Sequence, residues 1–169
     1  EVISIGCDPD GTNINHKCGS THPNVMAKMV KKHKADIGIA LDGDADRCII
    51  CDEKGNFIHG DKIIGLITKR YLDQGTLKGN AIIGTKMTNK GLENYLNSLD
   101  LGLIRTNVGD RYVVEEMRKS GCNIGGEQSG HIILGEYGST GDGLVASLQI
   151  IASMVEKNIK VSKLVNIFS

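Results

Sequence analysis

Short apolar runs alternate along the chain with longer segments in which apolar residues recur every three or four positions. Short runs of this kind are typical of buried strands, whereas the three-to-four spacing predicts the buried face of a helix. Strands that alternate with helices predict the α/β class. The predicted strands are VISIG at 2–6, DIGIAL at 36–41, RCIICD at 47–52, AIIGT at 81–85, LGLIRT at 101–106, CNIGG at 122–126 and HIILG at 131–135.

Residues that favour helix ends stand before most of the helical segments. Asp and Thr side chains accept backbone N–H groups at an N-cap, and proline suits the first helical position. Gly121 is placed as the C-cap of the helix that begins at Asp110. The predicted starts or caps are Pro23, Asp61, Thr88, Asp110 and Asp142. The last of these helices is the longest, and its predicted buried face carries Leu144, Leu148, Ile151, Ala152 and Val155.

The stretch EKGN at 53–56 has turn chemistry, and a boundary near Asn56–Gly60 divides the chain into two blocks. Residues 1–56 contain too few elements for a complete α/β domain, whereas residues 57–169 contain enough. We therefore expect two mixed-sheet α/β domains, one partial and one nearly complete. We also expect the chain to be a piece of a longer protein, because the 169 residues begin abruptly and end in a segment that starts a new element.

The charge balance excludes two classes of partner. Lys plus Arg number 20 and Asp plus Glu number 20, so the formal net charge is zero. Binding to nucleic acid or to an anionic membrane surface needs a clustered basic surface, so neither partner is expected. No apolar run is long enough to span a bilayer.

The five cysteines indicate a reducing compartment, the cytoplasm, because an odd number does not suit a disulfide framework. Cys48 and Cys51 form a C-x-x-C pattern, but residues three apart on a strand face opposite ways, which argues against a redox pair. A zinc site is disfavoured because the spacing of its candidate ligands fits no standard finger: Cys7, His16, Cys18 and His22.

The strongest chemical signal is the acidic loop DGDADR at 42–47. Asp42, Asp44 and Asp46 alternate along a loop that follows a predicted buried strand. Alternate side chains of an extended loop lie on the same side and can converge on one cation. A few oxygen ligands with positions left open for phosphate favour Mg²⁺.

The acidic loop has two other interpretations. An acidic surface turn is one. An EF-hand calcium loop is the other, since the three aspartates and Glu53 match its first, third, fifth and twelfth positions. Its sixth position needs glycine for a sharp turn, and Arg47 stands there. The flanking segments are also predicted strands, so we reject the EF-hand.

A glycine-rich loop, GGEQSGH at 125–131, joins two predicted strands. Glu127 and Ser129 suit the hydroxyls of a sugar, since a carboxylate accepts and a hydroxyl both donates and accepts. A polar hairpin with His131 at the surface is an equally good interpretation from the residues alone. In VGDRYV at 108–113, Arg111 could receive an anion at a helix start, or Asp110 could be a cap beside a solvated arginine.

The combination of motifs resembles the α-D-phosphohexomutases. The similarity lies in DGDADR and GGEQSGH, in that order, and covers essentially the whole chain. PDGTNIN at 9–15, CGSTHP at 18–23 and VGDRYV are similar too. The resemblance implies α/β domains of the phosphohexomutase type, with residues 1–56 the end of a second domain and residues 57–169 a third domain.

The family implies a role for each motif. Its full enzyme has four domains around a cleft, and a phosphoserine of the first domain donates and takes back a phosphoryl group. By resemblance, Asp42, Asp44 and Asp46 hold Mg²⁺. The resemblance further implies that Arg47 supports the phosphoryl group and that Glu127 and Ser129 bind the sugar. It also implies that His131 lies near the reacting end of the sugar. Arg111 is added as a candidate substrate-binding residue.

VGDRYV and the glutamine of GEQSGH are similar to the amino-sugar branch of the family. That branch interconverts glucosamine 6-phosphate and glucosamine 1-phosphate through glucosamine 1,6-bisphosphate, for cell-wall precursor synthesis in the bacterial cytoplasm. A sister activity on mannose or glucose phosphates and a non-catalytic metal- or sugar-binding module are the alternatives. No segment resembles the phosphoserine loop or the phosphate loop of the fourth domain, so we expect no turnover from these residues without domains 1 and 4. A homo-oligomer stays open.

Overall fold

The structure, a computed structural model, describes residues 1–168. Apart from the run at 2–6, the apolar runs form strands, and the amphipathic segments form helices, in mixed α/β order. Two sheets result, one antiparallel and one mixed. The elements are α1 (Pro23–His33), β1 (Ile37–Leu41), β2 (Cys48–Asp52), β3 (Phe57–Ile58), α2 (Gly60–Asp73), β4 (Ala81–Thr85), α3 (Lys90–Asn97), β5 (Gly102–Thr106), α4 (Asp110–Ser120), β6 (Ile124–Gly126), β7 (Ile132–Leu134), α5 (Gly143–Lys157) and α6 (Val161–Leu164).

The first sheet has the order β1-β2-β3 and is antiparallel throughout. Helix α1 covers one face of it, with Met26 and Val30 buried against Ala40 and Cys51. The predicted strand at 2–6 is wrong: these residues form no strand and are exposed. An apolar run needs a neighbouring strand for its backbone groups, and this run pairs with none of the residues described.

The second sheet has the order β5-β4-β6-β7, with β4 parallel to both neighbours and β7 antiparallel to β6. Because successive side chains of a strand point to opposite faces, Ile82 and Ile83 enter two different cores. Helix α4 packs on one face through Val113 and Met117. Helices α2, α3 and α5 pack on the other. These layers confirm the predicted α/β class.

One apolar core joins the two predicted blocks. Ile50 of the first sheet lies in the same cluster as Ile64 of α2, Ile132 of β7 and Ile150 of α5. The short strand β3, which the sequence did not predict, also pairs with β2 through Ile58 and so extends the first sheet past residue 56. Helix α5 contacts both sheets, and the N–H of Gly143 at its start donates to the carbonyl of Ala45 in the acidic loop.

The predicted buried face of α5 is wrong. Leu144, Leu148 and Val155 are 52, 50 and 74% exposed, whereas Ser147 and Ser153 are buried. Each of these serines donates its hydroxyl to the carbonyl four residues back, so its polar group is satisfied inside the helix. Because serine side chains are small, α5 lies close to both sheets. The spacing of apolar residues in the sequence does not predict this close packing.

Two predicted N-caps are displaced by one or two residues. His59 caps α2, and Asp61 instead accepts the N–H of Asn89 from within the helix. Asn89 caps α3, while Thr88 accepts the N–H of Thr85. The other predicted helix ends agree with the structure: Pro23 at the start of α1, Gly121 after α4 and Asp142 as the cap of α5.

The thiols of Cys48 and Cys51 point into different cores, as the strand spacing predicts. Burial raises the pKa of each to about 11. The thiolate is the reactive species, so we expect a thiol reagent at pH 8 to label Cys7 and Cys18 within minutes. The other three cysteines should react only after denaturation. Rapid labelling of Cys48 or Cys51 in the native protein would contradict this, and mass mapping of the modified peptides identifies the sites.

Candidate functional site

The acidic loop connects β1 to β2 and folds back on itself. The backbone N–H of Arg47 donates to Oδ1 of Asp42 at 3.0 Å, which closes the loop. Ala45 adopts a left-handed conformation (φ 60°) at the turn, and its N–H donates to the carbonyl of Asp42. The flanks are strands, and Glu53 accepts the backbone N–H and the hydroxyl of Ser162. The EF-hand interpretation therefore stays rejected.

Three carboxylates converge in this loop. Asp42, Asp44 and Asp46 each offer an oxygen within 4.8 Å of the others, and they are the one such cluster of three or more His, Cys, Asp or Glu ligands in residues 1–168. The disfavoured zinc set is thus not assembled in that part of the chain. Burial, with the neighbouring carboxylate of Asp42, raises the pKa of Asp46.

The acidic cluster fits a hard cation such as Mg²⁺. Oδ1 of Asp46 is buried and has no hydrogen-bond partner. A buried carboxylate oxygen without a partner costs free energy, and like charges this close repel each other. A divalent cation would satisfy that oxygen and offset the repulsion. Oxygen ligands of this kind are the ones Mg²⁺ takes in proteins.

A cavity of about 450 Å³ lies beside the acidic cluster. Arg47 lines it, with its side chain half exposed and its Nε 3.8 Å from Oδ1 of Asp46. Three further polar residues line the cavity, and none of them was assigned a role from the sequence: Asn15, Ser20 and Thr21. Asn15 ends the motif PDGTNIN, and Ser20 and Thr21 belong to CGSTHP. The N–H of Ser20 donates to the carbonyl of Leu41 immediately before the acidic loop.

The glycine-rich loop makes a tight turn between β6 and β7. The N–H of Glu127 donates to the carbonyl of His131, and the N–H of Gly130 donates back to the carbonyl of Glu127. Ser129 is exposed at the tip. Oε1 of Glu127 accepts the N–H of Gly109 at 3.0 Å, which ties this loop to the start of α4. One carboxylate oxygen of Glu127 is thus occupied within the protein.

His131 does not lie at the surface, as the hairpin interpretation required. Its ring is 1% exposed, and its Nδ1 lies 3.2 Å from Oδ2 of Asp46. The structure therefore brings His131 to the acidic cluster and leaves almost none of the ring open to a sugar. Arg111 is separate from both loops: its side chain is 82% exposed and pairs with Glu115 one turn along α4.

The sequence of this chain matches two domain models of one family. Residues 1–55 match the phosphoglucomutase/phosphomannomutase α/β/α domain II, and residues 59–169 match domain III of the same family. The chain belongs to the phosphoglucomutase/phosphomannomutase family. Among its relatives is a phosphoglucosamine mutase of Caulobacter vibrioides, 58% identical over 97% of this chain and 37% of the relative.

Solved structures share the fold. A phosphoglucomutase/phosphomannomutase family protein of Burkholderia thailandensis superposes with a TM-score of 0.87, at 24% identity, over 100% of this chain and 37% of that one. The N-acetylphosphoglucosamine mutase of Aspergillus fumigatus, solved with GlcNAc-6P and magnesium, has a TM-score of 0.68 at 19% identity, over 92% of this chain and 38% of that one. This chain thus spans somewhat more than a third of such proteins. Within residues 1–168, no helix has the length and apolar character to cross a membrane.

Proposed function

We propose that this chain carries the metal-binding and sugar-binding parts of a Mg²⁺-dependent phosphoglucosamine mutase. The whole enzyme would interconvert glucosamine 6-phosphate and glucosamine 1-phosphate. The observation that carries the proposal is the convergence of Asp42, Asp44 and Asp46 beside a cavity lined by Arg47. The 58% identity to a phosphoglucosamine mutase supports the amino sugar as the substrate.

Each residue of the site has a proposed role. Asp42, Asp44 and Asp46 would hold the ion, which neutralises charge that develops on a transferring phosphoryl group. The half-exposed guanidinium of Arg47 would bind phosphoryl oxygens in the adjoining cavity. Ser129 and the free oxygen of Glu127 would bind sugar hydroxyls. Arg111 would need to leave Glu115 to reach a substrate, and an exposed ion pair of this kind is weak enough to exchange.

The remaining parts of the reaction lie outside these residues. A phosphoserine as phosphoryl donor and glucosamine 1,6-bisphosphate as intermediate and activator belong to the proposal on the strength of the family alone. Phosphoryl transfer depends on positioning and charge stabilisation. We therefore propose that residues 1–169, without the phosphoserine domain and the fourth domain, do not turn over substrate. A reducing cytoplasm suits the five free cysteines.

The division at residues 56 and 57 also stays a proposal. Its support is that the two family models meet between residues 55 and 59. The pairing of β3 with β2 and the shared core mean that the two units are packed together closely.

The test is a mutase assay on the longest natural protein that carries this chain, with Mg²⁺ and activating bisphosphate held fixed. Glucosamine 6-phosphate and mannose 6-phosphate are compared as substrates. We expect a strong preference for the amino sugar. A preference for mannose 6-phosphate would move the protein to the sister activity, and no activity on either would favour the binding module. Turnover by residues 1–169 alone would contradict the proposed need for the other domains.

A further inference from the structure

The two nitrogens of the His131 imidazole have different surroundings. Nε2 accepts the backbone N–H of Gly141 at 3.2 Å, so this nitrogen carries no proton. The proton of the neutral ring therefore lies on Nδ1, which faces Oδ2 of Asp46 at 3.2 Å. The angle at this contact falls outside hydrogen-bond geometry, and Nδ1 is buried with no other partner. Nδ1 and Oδ2 are nevertheless within hydrogen-bonding distance of each other.

The backbone around this contact is held from both sides. Arg47 and His131 form an antiparallel bridge, and the N–H of Cys48 donates to the carbonyl of Gly130 at 3.2 Å. The N–H of Gly143, at the start of α5, donates to the carbonyl of Ala45 at 2.8 Å. The second half of the acidic loop is thus attached to residues far along the chain.

The two oxygens of Asp46 have different surroundings. Oδ2 faces the imidazole, while Oδ1 is buried without a hydrogen-bond partner and lies 3.8 Å from Nε of Arg47. A donor on one carboxylate oxygen fixes the rotation of the carboxylate and leaves the other oxygen for a cation. Outer partners of this kind orient metal ligands in proteins.

We propose that His131 is a positioning residue for the metal site, orienting Asp46 through Nδ1–H rather than contacting the sugar. The proposal rests on the proposed metal-binding role of the acidic cluster. It also makes His131 the link between the two motifs, because the side chain belongs to the glycine-rich loop and acts on the acidic loop. The orientation of a metal ligand would then depend on the position of the sugar-binding loop.

Two amide variants separate this role from simple packing. In His131→Asn the amide nitrogen lies near the place of Nδ1 and can still donate to Asp46. In His131→Gln the amide lies near the place of Nε2, so it can accept from Gly141 but has no donor toward Asp46. Both variants lose ring volume at the same buried position, so each is the control for the other.

The readout is the binding of Mn²⁺, titrated into the full chain and followed by the electron paramagnetic resonance signal of the free ion. We expect His131→Gln to weaken binding about 10- to 100-fold, the usual effect of losing an outer partner. His131→Asn should stay within about threefold of the unaltered chain, since it keeps the donor. His33→Gln, at the exposed end of α1, should leave binding unchanged.

Each other outcome has one meaning. Equal binding by the unaltered chain and His131→Gln, or equal weakening by both amides, would overturn the positioning role while leaving the metal site intact. Failure of the unaltered chain to bind Mn²⁺ would instead remove the proposed metal site, and the role of His131 with it. If neither variant folds, nitrogen-15 NMR of the unaltered ring decides: we expect a proton on Nδ1 and a shift of its signal when Mg²⁺ is added. A ring protonated on Nε2, or one that does not respond to Mg²⁺, would overturn the proposal.

Discussion

Replacement of Asp44 by asparagine is expected to weaken Mg²⁺ or Mn²⁺ binding by about 100-fold or more, beyond the 10- to 100-fold typical of an outer partner. The change removes one of three carboxylates whose oxygens lie within 4.8 Å of each other, at nearly constant volume. Asp44 is exposed, so the fold should not change, and the loss should appear in the affinity alone. Isothermal titration of the ion into the full chain measures it.

Asp36→Asn is the matched control for Asp44→Asn. Asp36 is also exposed and lies at the opposite end of β1 from the acidic loop. Its replacement by asparagine therefore changes the net charge by the same amount without altering the acidic cluster. We expect its affinity for the ion to match that of the unaltered chain. If Asp44→Asn binds the ion as tightly as Asp36→Asn, the acidic cluster does not hold the metal.

Local patterns predicted the elements well where one interaction determines them. The strand AIIGT at 81–85 agrees with β4 residue for residue, because a run buried on both faces of a parallel sheet reads as continuous apolar sequence. Gly121 and Asp142 were placed correctly because a C-cap needs a left-handed residue and an N-cap needs a side-chain acceptor. Each of these signals involves only residues that are a few positions apart in the sequence.

The sequence could not predict features that depend on distant contacts. The run at 2–6 is as apolar as a strand, but its pairing is decided by residues elsewhere. The exposed face of α5 follows from the approach of two sheets to its buried serines. The alternation of Asp42, Asp44 and Asp46 in the sequence was enough to predict that their carboxylates converge. The contact of Asp46 with His131, 85 positions along the numbering, had no local signal.

The site, too, combines parts that the sequence predicts with contacts that it does not. Glu127 looked free to bind a sugar, yet one of its oxygens accepts the N–H of Gly109. Gly109 belongs to VGDRYV and Glu127 to GGEQSGH, two motifs that are separate in the sequence. Their contact is fixed by β4, which brings the start of α4 next to β6 through the parallel pairings. Local sequence motifs mark the parts of the site, and the sheet order determines which parts meet.

Gly130→Ala is expected to lower the free energy of unfolding by about 3 kcal/mol, from added backbone strain and overpacking. Gly130 has φ of +92°, a conformation that strains an alanine, and a Cβ there would overlap the carbonyl oxygen of Cys48 at the start of β2. That carbonyl is backbone in a sheet and cannot move freely. Urea unfolding followed by circular dichroism measures the change in midpoint.

Gly75→Ala separates the two causes of this loss. Gly75 also has a positive φ of +68°, but a Cβ there would meet nothing within 4 Å. It should therefore show the backbone strain alone, about 1 kcal/mol. The difference between the variants is the overlap at the junction of the glycine-rich loop and β2. Equal losses in the two proteins would mean that this junction can open by enough to accept a methyl group, and the acidic loop would then not be held in place by residues 130–131.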